Sequence, residues 1–105
     1  MMSSSDPKND EGLKLKERKK TARPKKHKVL LHNDDYTTME FVVYVLMQHF
    51  QKDRAEATQL MLQIHHKGLG VAGVYPKDIA ETKANIATEE ARAQGMPLLI
   101  TSEPE

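Results

Sequence analysis

The sequence contains no cysteine, which excludes disulfides and any thiolate metal site. That is compatible with a reducing cytosol. No run approaches the ~18 consecutive apolar residues of a membrane span. Residues 1–12, MMSSSDPKNDEG, lack the apolar centre of a signal peptide, so neither insertion nor export is expected. Also missing are a Ser/His/Asp order, a nucleophilic thiol and a glycine-rich phosphate loop. Gly68-Leu69-Gly70 is too short for one and follows a helical pattern rather than a strand. These absences point to a binder and away from an enzyme.

What is present suits one small domain. The chain has 105 residues, 38% apolar and 30% charged, with a net charge of +1. That balance hides an asymmetry. Residues 1–28 carry ten Lys or Arg against four Asp or Glu, and residues 29–105 carry six against eleven. The chain therefore reads as a basic N-terminal extension, residues 1–25, joined to an acidic domain, residues 26–105. The cluster KERKKTARPKKHK is open to two readings: a flexible, solvated arm with few apolar residues to bury, or a phosphate-binding arm of a nucleic-acid-associated protein. Against the second, the arm has no aromatic residue for base stacking, and the acidic domain repels phosphate.

Periodicity gives the elements. Val29-Leu30-Leu31 is a short apolar run bounded by turn residues, as in a buried strand. Thr37-Thr38-Met39-Glu40 matches a capping box with Thr37 as N-cap. The helix it opens buries Val42, Val45, Leu46 and Phe50 and stops near Gln51. Asp53, with Glu56 three residues on, caps a second helix whose stripe is Ala57, Leu60, Met61 and Ile64, and Gly68 supplies a left-handed stop. Val71–Tyr75 reads as a second strand, with Gly70 and Gly73 marking a bulge or close packing. Pro76 opens a third helix packing through Ile79, Ala80, Ile86, Ala87 and Ala91, and Gly95 ends it. Leu98-Leu99-Ile100 is the third strand. The predicted fold is a two-layer α+β domain of order β-α-α-β-α-β, with three antiparallel strands and the helices on one face.

Three groups of residues can carry chemistry. Asn33, Asp34 and Asp35 lie between the first strand and the first helix, where Asx residues commonly build turns. The same amide oxygen and carboxylates also make an acceptor-rich corner suited to an ammonium group. Both readings stand on sequence alone. His65 and His66 point about 100° apart on a helix, so the two rings cannot easily share a metal. A partly buried His65 hydrogen-bonding near a pocket fits better. Met39, Val42 and Met61 are either core filler or the wall of a pocket for a bulky apolar group. A small hydrolase using Asp34 or Asp35 with His65 lacks any evident nucleophile or metal.

The blocks HNDDYTTMEFVVYVL, ATQLMLQIHHKG, GVAGVYPKDIAETK and PLL, in this order and spacing, closely resemble the ClpS family, bacterial adaptors of the ClpAP protease. The similarity spans residues 27–101. It implies a non-catalytic adaptor of the bacterial cytoplasm, without a cofactor and monomeric until it docks on a larger ring. Its N-degron substrates begin with Leu, Phe, Tyr or Trp and are delivered to the ClpA ATPase. By this resemblance Asn33, Asp34, Asp35 and His65 bind the free α-amine. Thr37, Met39, Val42, Met61, Ile64 and Leu98 line the pocket for the first side chain. Met39 stands at the gatekeeper position that rejects β-branched residues. Asp78, Glu81, Thr82 and Lys83 match the surface that docks on the N-terminal domain of ClpA, and residues 1–25 match the extension used in handover. The chain departs from the family at His32, where an apolar residue bordering the pocket is usual, at Thr38, where Pro is common, and at Gly70, where Ala is common.

Overall fold

A computed structural model describes residues 24–105 of the chain. The arm of residues 1–25 therefore lies, except for Pro24 and Lys25, outside the described residues. The first element is a strand, β1 (His27–His32). It is followed by helices α1 (Met39–Phe50) and α2 (Arg54–Lys67), strand β2 (Leu69–Tyr75), helix α3 (Lys77–Ala93) and strand β3 (Leu99–Pro104). The three strands form one antiparallel sheet of order β2-β1-β3. This is the α+β order that the periodicity predicts. No described helix is long and apolar enough to cross a membrane.

The side chains alternate across β1 as a pleated strand requires. Val29 and Leu31 are fully buried and join the core with the helices. Lys28, Leu30 and His32 point to the other face, where Lys28 Nζ lies 3.6 Å from Glu103 and His32 Nε2 lies 2.8 Å from Thr101 Oγ1. The register with β2 slips between Val29 and Leu30, so Ala72 is the extra residue of a bulge beside Gly73. Gly70 sits at a close approach: a Cβ there would meet Ile64 Cγ1 at 2.8 Å, so an Ala at this position needs Ile64 to shift. The bare backbone of Gly70 lets β2 lie close against the end of α2, and β2 starts at Leu69, two residues before the predicted start.

The helix caps divide into one expected and one not. Asp53 caps α2 by accepting from Glu56 N at 2.8 Å, while the Glu56 carboxylate accepts from Asp53 N at 3.1 Å, a complete capping box. Gly68 ends the helix at φ 96°. The N-cap of α1 is Thr38 rather than the predicted Thr37, and its hydroxyl accepts from Phe41 N at 3.1 Å. Thr37 is drawn into the preceding turn instead, and Glu40 has no capping partner to answer. Replacing Asp53 with Ala is expected to cost about 1 kcal/mol. In thermal denaturation this lowers the melting temperature by roughly 4–8 °C.

Helix α3 also corrects the sequence reading. Its buried stripe is Ala80, Ala84, Ala87 and Ala91. Small side chains let the helix axis approach the sheet closely. Ile79 and Ile86 each sit one residue before an alanine of that stripe, about 100° around the helix. They are 46% and 51% exposed and do not pack in the core. Glu90, on the same helix, ties α3 to α1. Its carboxylate accepts from Tyr44 Oη at 2.6 Å and pairs with His49 Nε2. These bonds, Tyr44 first, hold the Glu90 carboxyl below its usual range, and the same bond pushes the Tyr44 phenol up.

Candidate functional site

Residues 33–38 connect β1 to α1, and two sets of bonds shape this loop. Asn33 N donates to the carbonyl of Gly68 at 2.8 Å, which pins the loop's start to the end of α2. The last turn of α2 carries His65, so the pin brings His65 beside the Asn33–Asp35 segment. Asp34 then folds the loop. Its Oδ1 accepts from Tyr36 N at 2.8 Å and from Thr37 N at 2.7 Å, and its Oδ2 accepts from the Thr37 hydroxyl at 2.7 Å.

The turn reading and the acceptor reading are thereby divided between neighbours. Asp34 builds the turn. Asp35 takes no part in these bonds and is exposed, as is Asn33. Partial burial raises the pKa of Asp34, but the hydrogen bonds from the Thr37 side chain, the Thr37 backbone and the Tyr36 backbone outweigh it. With a contribution from the charge of Arg92, they hold the carboxyl below its ordinary value. The sign follows for a depressed carboxylate. Its contribution to the loop is full above the unfolded pKa and is lost only as pH falls through the lowered folded value.

Loop and helices enclose a cavity of about 260 Å³. Its lining combines the polar residues Asn33, Asp34, Asp35, Thr37 and His65 with the apolar Met39, Val42, Met61 and Ile64. Met39, at the first position of α1, is 46% exposed at the mouth, whereas Val42, Met61 and Ile64 are buried below it. The arrangement joins anionic and amide acceptors to an apolar hollow. It suits a ligand with a positive amine next to one bulky apolar group. The volume lies just under the ~300–1,000 Å³ range of drug-sized ligand sites.

Four residues stand differently from the sequence expectation. Leu98 is fully buried in the core, only 1% exposed, and is not part of the cavity wall. It precedes β3, and Arg92 holds that turn by donating to the carbonyls of Met96 and Leu98 at 2.9 and 3.2 Å. His65 is exposed rather than partly buried, because in this turn Ile64 takes the inward face and His65 is turned about 100° from it. His32 lies on the outer face of the sheet with Thr101 and does not border the cavity. Lys83 is already engaged: its Nζ donates to the His49 carbonyl at 3.0 Å and lies 5.3 Å from the centre of the Tyr75 ring. Its three companions Asp78, Glu81 and Thr82 are exposed on α3.

The sequence reading missed a second, larger feature. A groove of about 500 Å³ runs between α1 and α2 and shares Met39 and Met61 with the cavity. The signal was present as Met39, Val43 and Met47 at four-residue spacing on α1, facing Arg54, Thr58 and Met61 on α2.

Known proteins resemble this chain in sequence, and one solved structure shares its fold. The chain matches the family described as "ATP-dependent Clp protease adaptor protein ClpS" over residues 22–101. It is 54% identical over 103 residues to the ATP-dependent Clp protease adapter protein ClpS of Desulfatibacillum aliphaticivorans, covering 97% of this chain and 99% of the relative. To the ClpS of Lawsonia intracellularis it is 52% identical over 100 residues, with 94% and 92% covered. A solved structure of Agrobacterium tumefaciens ClpS2 bound to L-phenylalaninamide superposes with a TM-score of 0.77 at 46% identity, covering 79% of this chain and all of that one.

Proposed function

The chain belongs to the ClpS family of ATP-dependent Clp protease adaptor proteins, and on that premise we propose that its cavity reads the first residue of proteins destined for degradation. An adaptor of this family is a binding protein and not an enzyme. The ligand is an N-degron: a free α-amine followed by the side chain of Leu, Phe, Tyr or Trp. The observation that carries the reading is the cavity itself, in which hydrogen-bond acceptors and apolar side chains line one space. The ligand of A. tumefaciens ClpS2 supports it, since phenylalaninamide is a free amine beside a bulky apolar side chain.

Each part has a physical task. An α-ammonium offers three donors, and an internal peptide N–H offers one. Asn33, Asp35 and His65, on a loop held in shape by Asp34 and the helix end pinned to it, supply acceptors for them. His65 accepts only as the neutral imidazole. Burying a Leu or Phe side chain between Met39, Val42, Met61 and Ile64 yields roughly 1.5–3 kcal/mol. Met39 at the mouth has no branch at Cβ and can bend over a ligand side chain that is likewise unbranched at Cβ. A β-branched Ile or Val places its extra methyl against that Met, so selection works partly by exclusion.

The partner is the ClpA ATPase, docked through its N-terminal domain on α3 in the bacterial cytoplasm, with this chain as a monomer and the arm of residues 1–25 serving handover. The support is the exposed face that Asp78, Glu81 and Thr82 share with Ile79 and Ile86, two apolar side chains left out of the core. Replacing Ile86 with Asp is expected to weaken docking on ClpA about tenfold or more, since a buried carboxylate replaces an apolar contact. Affinity for a Phe-initiated peptide is expected to stay within about twofold, because Ile86 does not line the cavity. Surface plasmon resonance with immobilised ClpA N-terminal domain, beside fluorescence anisotropy for the peptide, checks both. Unchanged docking counts against the assignment.

A further inference from the structure

The α1–α2 groove is larger than the cavity beside it, and the reading above leaves it without a task. It is continuous with the cavity, because Met39 and Met61 form a wall of each. From that shared wall it runs along α1 past Val43 to Met47, with Thr58 and Arg54 opposite on α2. The floor is therefore apolar and rich in methionine. Glu40, Gln48 and Arg54, all exposed, stand at its rim.

We propose that this groove binds the segment that follows the substrate's first residue and accepts an apolar side chain at the third position. The inference rests on the cavity holding the first side chain. Once that side chain is seated, the chain must leave past the Met39–Met61 wall or turn into solvent, and the groove opens directly across that wall. An extended peptide advances about 3.3 Å per residue and alternates its side chains, so the third points the same way as the first and lies about 6.6 Å further on. Four residues of helix span about 6 Å. A third side chain beyond Met39 thus falls beside Val43, one turn short of Met47, whereas the second points away from the floor.

The chemistry fits an occupant whose sequence varies from one substrate to the next. Methionine is unbranched and polarisable, and adapts its shape to different apolar groups. The rim carries one carboxylate and one guanidinium, so neither sign of charge dominates along the groove. The specificity that results is graded. The first residue decides whether a protein is taken, and the third adjusts how tightly.

The test uses the full chain and four ligands in isothermal titration: phenylalaninamide and the amidated peptides Phe-Gly-Gly-Gly, Phe-Leu-Gly-Gly and Phe-Gly-Leu-Gly. The last two have the same composition. Phe-Gly-Leu-Gly is expected to bind about five- to tenfold more tightly than Phe-Leu-Gly-Gly, as partial burial of one Leu side chain allows. In a Thr58→Phe variant, whose ring fills the groove, the ratio between these two peptides is expected to fall to near one. Equal affinities in the unaltered chain, with phenylalaninamide still bound, overturn this inference alone. A preference that survives Thr58→Phe overturns it as well. Failure of phenylalaninamide itself to bind removes the first-residue reading, and this one with it.

Discussion

Acetylating the amine of a Phe-initiated peptide is expected to weaken its binding about a hundredfold or more. The modification removes the positive charge and leaves one N–H where three stood. Charge-assisted hydrogen bonds contribute about 1.5–3 kcal/mol each, so losing two of them is at least a hundredfold in affinity. The apolar contacts with Met39, Val42, Met61 and Ile64 survive the change, so residual weak binding is expected rather than none. Fluorescence anisotropy with the free and acetylated peptides measures the ratio. Replacing Asp35 with Ala should reproduce part of the loss, more than about 1 kcal/mol, because it removes one anionic acceptor. Its effect on folding should be small, since Asp35 makes none of the bonds that shape the loop.

Asp34 should behave differently from its neighbour. Asp34→Ala removes the acceptor of two backbone N–H groups and one hydroxyl. The expected cost is about 1–3 kcal/mol of stability, a fall of roughly 4–24 °C in melting temperature for a domain of this size. Binding should fall at the same time by more than tenfold, because the loop that presents Asn33 and Asp35 loses its fold. Asp34→Asn separates the two effects. Its amide oxygen can still accept from Tyr36 N and Thr37 N, and the Thr37 hydroxyl can accept from the new amide N–H. Stability should largely return, while the missing charge still weakens the grip on an ammonium. Thermal melts and peptide titrations on both variants show whether stability and affinity part company in this way. If Asp34→Ala melts like the unaltered protein, the turn does not depend on this carboxylate.

The parts of the fold that were legible are those specified by local chemistry. Asp53 and Glu56 make a reciprocal cap within four residues of chain, and Gly68 takes up the left-handed conformation for which it is suited. Neither depends on anything distant. At Thr37 and Thr38 two adjacent residues were equally able to cap α1. The choice fell to Thr38 because Asp34 captured Thr37 from the other side, a competition that a capping pattern does not contain.

Ile79 and Ile86 were misread for a related reason. Helix α3 offers two stripes one residue apart, and hydrophobicity alone favours the larger side chains. Closeness of the helix to the sheet selected the alanines instead. At the site, the polar corner and apolar wall were visible as residue types, and resemblance to a family supplied their joint purpose. What no local pattern carried was the bond from Asn33 to Gly68 that brings β1 and α2 together. The burial of Leu98 and the groove along α1 likewise depend on how separate elements pack.

The most direct measurement is a backbone-amide NMR titration of the full chain with phenylalaninamide. Saturable shifts concentrated at Asn33 to Thr37, Met39, Met61 and Ile64 to His65, with α3 little affected, are the predicted result. No saturation, or shifts gathered on α3 or on the outer face of the sheet, would contradict an amine-and-side-chain site between the first loop and the second helix.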